Sequence, residues 1–580
     1  MKKQRTVTRI LQACLLVGIT AVFTLASPAH AQDSGDPPPA TTPYTSVTMS
    51  AGINMPHQGN EKITGQAWGD YDLDGWLDLY LTDFAGANVL YRNNGDGTFA
   101  PSPLSSQVAL PDARSGGAIF ADYDNDGWSD LYVVNWGANT LFHNVNGQRF
   151  EDVTSSAGVG ETANGKTASW GDYDQDGYLD LYVANWACYP ECGRPSEGDR
   201  DRLYHNNGDG TFTDATNFLP GSTRGAGFVA SFLDYDNDGD PDIYLVNDEF
   251  INPIGNILWR NDGPGCDGWC FSNVSLESGA NTQVMGMGLA TADYDRDGDL
   301  DFYFSNGGPM TLLQNQGNGT FVDVAAAAGV DFPAIGWGAA FFDYDNDGWN
   351  DLYLAVMEPI DQETAANPLF RNDGDGTFTN LGVNSGAADS GATIGVAYAD
   401  YDNDGWLDIV TGNYDSQYNL YHNQMGTAST NNWVAFNLIG AGPVNRDAIG
   451  ARIHLLDNQG RVQMQEVVNG SSLGAGNSLR LHFGLGNAVV DMVQITWPDG
   501  TFQIAKGLSH NQFHTLTYGV DPAAPLTPTP ITSQQTNPTS NSSRVGWNLW
   551  VGILWLLVLA AAVILALVLY LYWQAHNQIH

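Results

Sequence analysis

The chain has 580 residues, too many for one ordinary core, so two or more domains are expected. Its 22 Lys and Arg stand against 65 Asp and Glu, a formal net charge of −43 that excludes a nucleic-acid partner, since a phosphate-binding surface must be basic. Such acidity can mean disorder, but 11% aromatic residues and 17 Trp indicate packed structure that something cationic completes.

Residues 1–31 read as a secretory signal. Lys2, Lys3, Arg5 and Arg9 form a basic start, 10–25 is mostly apolar, and Ala29-His30-Ala31 fits the small-x-small cleavage rule. Cys14 raises a lipoprotein reading, but it precedes most of the apolar stretch and Gln12 suits a lipobox poorly. Residues 32–43 form a linker.

Between 44 and 424 one motif recurs seven times, Asp-Tyr-Asp-x-Asp-Gly-x-x-Asp, at spacings of 52, 50, 62, 59, 50 and 57 residues. A fixed period of this length marks a repeat architecture. Each copy has a Gly/Ala-rich stretch before the motif and an apolar, aromatic run after it, then a second apolar pair and an Asp-Gly or Asn-Gly turn. That predicts about four short strands per copy and no helix, the content of a β-propeller blade. Most copies end in a Phe-x-x-Val-type strand, which the seventh lacks. Residues 44–53 are an orphan copy of it, so the N-terminal strand is expected to complete the seventh blade and remove an open edge.

Aspartate occupies motif positions 1, 3, 5 and 9, with Gly at 6. The expected ligands are these carboxylates together with the backbone carbonyl at position 7. In loop 1 they are Asp70, Asp72, Asp74, Trp76 and Asp78, and in loop 2 Asp122, Asp124, Asp126, Trp128 and Asp130. Loop 3 offers Asp172, Asp174, Asp176, Tyr178 and Asp180; loop 4, Asp234, Asp236, Asp238, Asp240 and Asp242. Loop 5 has Asp293, Asp295, Asp297, Asp299 and Asp301, and loop 6 Asp343, Asp345, Asp347, Trp349 and Asp351. Loop 7 has Asp400, Asp402, Asp404, Trp406 and Asp408. Ca²⁺ wants six to eight hard oxygens in a flexible shell, whereas Mg²⁺ prefers a stricter octahedron with retained waters. The loop is not an EF-hand, because position 12 is Leu81 and a strand follows. Four crowded carboxylates repel or take up protons unless a cation joins them. Seven Ca²⁺ would bring the formal charge from −43 to −29. The competing reading is a set of solvated acidic turns, but turn chemistry does not demand Asp at four fixed positions seven times.

Two close cysteine pairs, Cys188/Cys192 and Cys266/Cys270, lie in the longer third and fourth repeats. Export permits disulfides and the spacing favours local bridges, although four cysteines allow three connectivities. After 431 the repeat disappears, and short β-like runs with Gly/Asn turns define a second β-rich domain, 431–519. Residues 520–546 are rich in Pro, Thr and Ser and read as a stalk. Residues 549–571 carry no charge, and Trp547, Trp550, Trp555, Tyr570, Tyr572 and Trp573 resemble interfacial belts. We therefore expect one membrane helix over 547–573, a tail at 574–580 and the body outside the cytoplasm.

The seven loops resemble the FG-GAP/VCBS repeats of integrin-α-type propellers, over 44–423. The resemblance implies a seven-bladed propeller with about seven mainly structural Ca²⁺, a role carried onto all 28 aspartates. Four blocks in the following domain, Asn445-Arg446-Asp447-Ala448-Ile449-Gly450-Ala451-Arg452, Gly470-Ser471-Ser472, Leu479-Arg480-Leu481-His482-Phe483-Gly484-Leu485-Gly486 and Trp497-Pro498-Asp499-Gly500, are similar to the ASPIC/UnbV domain of the cartilage acidic protein-like family. That resemblance implies no established catalysis.

The leading expectation is a surface binding or adhesion module for a protein or glycan, with the third and fourth repeats as contact surface. An extracytoplasmic enzyme, with its site in the propeller channel or the ASPIC/UnbV-like domain, is the alternative. No nucleophile–base pair supports it. His143, His205 and His422 occupy a repeat position held elsewhere by Arg92, Arg260 and Arg371, while His454, His482, His510, His514 and Arg480 gather in the last domain. A structural cell-surface protein is the third reading.

Overall fold

The computed structural model describes residues 42–57, 63–187, 194–195, 198–266, 268–359, 366–389, 391–414 and 416–520. The signal, nearly all of the linker, Cys188 and Cys192, the stalk from 521 on, the membrane segment and the tail lie outside the described residues. Among the described residues, no helix is long and apolar enough to cross a membrane.

The chain is all-β. Each repeat folds as a four-stranded antiparallel unit because the motif ends one strand and starts the next, and the Asp-Gly hairpin turns the third into the fourth. Unit 1 is Gln66–Gly69, Asp78–Leu81, Val89–Asn93 and Phe99–Pro101. Units 2 to 6 repeat this order, and the position-9 aspartate always opens the second strand. Unit 7 has Thr393–Ala399, Asp408–Asn413 and Asn419–Asn423, and its fourth strand is Tyr44–Ser46, with Tyr44 opposite Asn423. The arrangement is propeller-like.

The units are joined by two recurring contacts. The position-2 tyrosine of each unit packs on an outer-strand aromatic of the next, from Tyr71 on Phe150 through Tyr344 on Tyr44, and Tyr401 of unit 7 on Phe99 of unit 1, with centroids 5.4 to 6.5 Å apart. The second contact is a buried asparagine on each third strand. Asn93, Asn144, Asn206, Asn261, Asn315, Asn372 and Asn423 each donate Nδ2 to the position-2 carbonyl of the preceding unit, at 2.7 to 2.9 Å. For Asn93 of unit 1 that carbonyl belongs to Tyr401 of unit 7.

One feature departs from the sequence reading. The segments after the fourth strands of units 2, 4 and 5 contain helical turns, Thr154–Ala157, Ser275–Ser278 and Ala325–Ala328. Each ends at a glycine with φ of 78 to 81°, a left-handed cap. Four residues are too few for helical periodicity to show in a sequence.

The C-terminal domain has two sheets. One orders Leu481–Gly486, Asn432–Ile439 and Phe513–Thr517; the other orders Val462–Glu466, Arg452–Asp457, Val490–Thr496 and Phe502–Lys506. Its residues 469–478 reach between the inner strands of the repeats. Ser472 N–H donates to Leu289 O at 2.6 Å, the N–H groups of Gln66 and Ala118 donate to Gly474 O, and Tyr398 N–H donates to Asn477 Oδ1. Ala475–Gly476 pairs in parallel with Gln66 and Ala67, and Leu473 is fully buried. Units 1, 2, 5 and 7 therefore share one central segment supplied by the other domain.

Candidate metal centre

Each loop is wound by two left-handed residues. Position 4 has φ of 54 to 61° and the position-6 glycine φ of 88 to 95°, which coils the chain so that its carboxylates converge. The loop's own backbone orders them. In loop 1, Asp74 N–H and Gly75 N–H donate to the two oxygens of Asp70 at 3.1 and 2.9 Å, and Trp76 N–H donates to Asp74 Oδ1 at 3.0 Å. Asp78 accepts Tyr71 N–H on Oδ2 and Asn93 N–H on Oδ1. The same frame recurs in loops 2, 3, 4, 6 and 7. In loop 5 the position-5 N–H of Asp297 turns instead to Asp295.

Some carboxylate oxygens are left over. Asp72 Oδ1, Asp174 Oδ1, Asp236 Oδ1, Asp293 Oδ1 and Asp402 Oδ1 are buried without a donor. Ligand atoms of Asp70, Asp72 and Asp78, and of Asp122, Asp124 and Asp130, lie within 4.8 Å of one another. Burial raises these acids first, and the neighbouring carboxylates add to it: Asp78, Asp122 and Asp400 are pushed up to about 8, and Asp234 and Asp293 to about 7. Orphaned, crowded, hard oxygens fit a divalent cation. Positions 1, 3, 5 and 9 with the position-7 carbonyl would hold it, and it would supply the charge that lets all four carboxylates ionise.

The position-4 side chain, which carries no signal in the motif, stitches loop to loop. Asn125 donates to Gly177 O at 2.8 Å, Gln175 to Gly239 O at 2.7 Å, Arg296 to Gly348 O at 3.1 Å, Asn346 to Gly405 O at 2.9 Å and Asn403 to Gly75 O at 3.1 Å. Asn237 reaches Asp299 Oδ1 at 2.5 Å. Leu73 of loop 1 is the exception, apolar and 53% exposed.

The C-terminal domain grips four of these asparagines by their Oδ1 atoms. Arg446 N–H donates to Asn125 at 2.7 Å, Arg452 to Asn237, and Arg480 to Asn403 at 2.7 Å, while His482 Nε2 lies 2.7 Å from Asn346. Asp447 also accepts Asp122 N–H at 2.7 Å, and Arg452 pairs with Glu466 at 2.6 Å. Burial, then Arg480, lowers His482 to about 3, so it is a neutral clamp. His514 is half-buried, stacks on Phe436 and bonds Ser509 O. His143, His205 and His422 each sit on their own loop's position-9 aspartate, at 3.1 to 3.2 Å.

Cys266 and Cys270 form a disulfide across the third hairpin of unit 4. That hairpin lies at the loop end of its unit.

The FG-GAP-like repeat profile matches residues 70–133, 122–183, 192–245, 293–354 and 360–411, and the ASPIC and UnbV profile matches 442–523. The chain is 26% identical to Mus musculus cartilage acidic protein 1 over 82% of this chain and 76% of that one. With the Homo sapiens protein it shares 25% identity over 45% of this chain and 40% of that one. Among solved structures, a Burkholderia pseudomallei lectin, BP39L, aligns at 12% identity and TM-score 0.41, covering 62% of this chain and 96% of its own. An Agrocybe aegerita lectin aligns at 18% identity and TM-score 0.37, covering 61% and 86%. With both profiles matched in order, the chain belongs to the FG-GAP-like repeat proteins that carry an ASPIC and UnbV domain after the repeats.

Proposed function

We propose that this chain is an exported, membrane-anchored binding module for a protein or glycan, built as a closed seven-bladed propeller whose loops hold about seven structural Ca²⁺. Support for closure comes from Asn93 on Tyr401 O and Tyr401 on Phe99, the same contacts that join every other pair of neighbours, and from Asn403 on Gly75 O, a contact shared by four other loops. Support for calcium comes from the orphaned carboxylate oxygens. The Cys266–Cys270 disulfide fits an oxidising compartment outside the cytoplasm.

One observation carries the binding reading. The C-terminal domain covers the loop end of the repeats, and residues 469–478 fill the space between inner strands, which leaves the opposite end as the proposed binding surface. There Lys166 Nζ lies 4.7 Å from the Trp186 ring centroid, 5.4 Å from Trp136 and 5.5 Å from Phe228, and Trp186 Nε1 donates to Asp248 at 3.0 Å. Trp337 stands edge-on to Phe228, and its Nε1 is buried without an acceptor. Aromatic faces with a few convergent polar atoms suit a sugar ring or a protein anchor residue. The test is a glycan and matrix-protein array probed with the full chain and with Trp136→Ala/Trp186→Ala. A ligand bound by the parent and lost in a variant that still unfolds cooperatively supports the reading. A ligand bound equally by both places recognition elsewhere, and none at all leaves the structural role.

A further inference from the structure

The seven loops are not chemically alike. The residue before the third-strand asparagine is Arg in units 1, 4 and 6, Gln in unit 5 and His in units 2, 3 and 7. Arg92 enters loop 1 itself, with Nε 2.6 Å from Asp72 and Nη2 2.5 Å from Asp74. Arg260 and Arg371 pair instead with Asp262 and Asp373 in their own hairpins, at 2.7 Å. Gln314 gives loop 5 an amide, 2.5 Å from Asp295.

In the other three loops a ring nitrogen stands among the carboxylates. His143 Nδ1 is 3.1 Å from Asp130 and 3.3 Å from Asp124; His205 Nδ1 is 3.2 Å from both Asp180 and Asp174; His422 Nδ1 is 3.1 Å from Asp408 and 3.4 Å from Asp402. The nitrogen and the oxygens of Asp124 and Asp126, of Asp174 and Asp176, and of Asp402 and Asp408 lie within 4.8 Å of one another, the spacing of atoms around one ion. Two features hold each ring in place. The position-2 tyrosine of the same loop meets it edge-on, at 6.4, 6.1 and 6.2 Å between centroids. The next residue, Asn144, Asn206 or Asn423, is fixed by its bond to the position-9 aspartate. In loops 3 and 7 the position-3 aspartate turns one oxygen to the histidine and keeps the other, Oδ1 of Asp174 or Asp402, buried without a donor.

We propose that loops 2, 3 and 7 are mixed nitrogen–oxygen sites that take a first-row divalent transition ion of the zinc class in preference to Ca²⁺, with His143, His205 and His422 as ligands through Nδ1, while the remaining four loops are all-oxygen. Imidazole raises affinity for Zn²⁺, Co²⁺ and Ni²⁺ and adds little for Ca²⁺, which selects carboxylates and carbonyls. The inference rests on the loops being cation sites.

The test loads chelator-stripped full chain with Co²⁺ in the presence of millimolar Ca²⁺ and reads bound metal, visible absorption and the X-ray absorption edge. Parent protein is expected to retain three Co²⁺ with nitrogen in the shell. His143→Gln/His205→Gln/His422→Gln, which installs the side chain loop 5 already uses, should hold Co²⁺ at least tenfold more weakly, while in the absence of Co²⁺ it binds as many Ca²⁺ as the parent. Equal Co²⁺ retention by the two proteins, or displacement of Co²⁺ from every loop by Ca²⁺, overturns the proposal and leaves the calcium reading standing. A stripped chain that binds neither ion overturns both.

Discussion

Two polar networks meet at the position-9 aspartate in every repeat, and they are satisfied in opposite ways. The third-strand asparagine is complete within the protein. Asn206, for example, donates its backbone N–H to Asp180 at 2.8 Å, its side-chain amide to Tyr123 O and Leu179 O at 2.9 and 3.0 Å, and accepts Gly208 N–H at 3.0 Å. The aspartate loop beside it is incomplete, with buried oxygens that no donor reaches. The first network needs only the fold. The second needs a cation or protons, because a crowded, buried carboxylate set cannot remain fully ionised alone.

The largest expected effect follows from that difference. Without a cation, burial and then the neighbouring carboxylates push Asp78, Asp122 and Asp400 up to about 8, above the value of about 4 in an unfolded chain. A raised carboxyl means that the folded state binds the extra protons, so the stability it contributes is present below pH 4 and lost as pH rises through 8. Each such group costs the ion-free fold up to about 1.4 kcal/mol per pH unit across that window. Melting temperature should therefore fall from pH 5 to pH 8 in the stripped chain and rise over the same range with saturating Ca²⁺. Parallel pH profiles in the two conditions would show that the loops do not bind the ion as carboxylates.

The asparagine network should respond less, and independently of metal. Asn206→Ala leaves two buried carbonyls without their donor and is expected to cost about 3 kcal/mol in denaturant unfolding of the calcium-loaded chain. A loss below about 1 kcal/mol would mean that water replaces the amide and that the contact between units is weaker than its geometry. The smallest effect tests the gap in the position-4 chain. Leu73 has φ of 55°, which asparagine tolerates better, and Leu73→Asn can supply the missing donor towards loop 2. It should stabilise the protein by about 1 kcal/mol, and a destabilised variant would mean that loops 1 and 2 are not spaced like the rest.

What could be read in advance follows the same division. The aspartate frame was legible because its spacing recurs unchanged in all seven copies, and the orphan strand Tyr44–Ser46 because its copy is missing from the seventh repeat. Position 4 was not, because it varies, as Leu73, Asn125, Gln175, Asn237, Arg296, Asn346 and Asn403, and its acceptor lies in another repeat. Arg480 and His482 looked like candidates for chemistry by their residue type. Their partners, Asn403 and Asn346, are 77 and 136 residues away, and only the packed structure shows that they clamp one domain onto the loops of the other. The third-strand asparagine did leave a signal, since it recurs in all seven copies, but a repeated amide reads as turn chemistry until its partner in the preceding unit is seen.

The most direct test of the whole account is calorimetric titration of the chelator-stripped full chain with Ca²⁺ at pH 7.5, followed by thermal unfolding of the same samples. The account predicts several ions bound per chain and a large rise in melting temperature that saturates with them. Binding of no ion, or a melting temperature that does not move, would mean that the aspartate loops are solvated turns and that metal does not hold the repeats together.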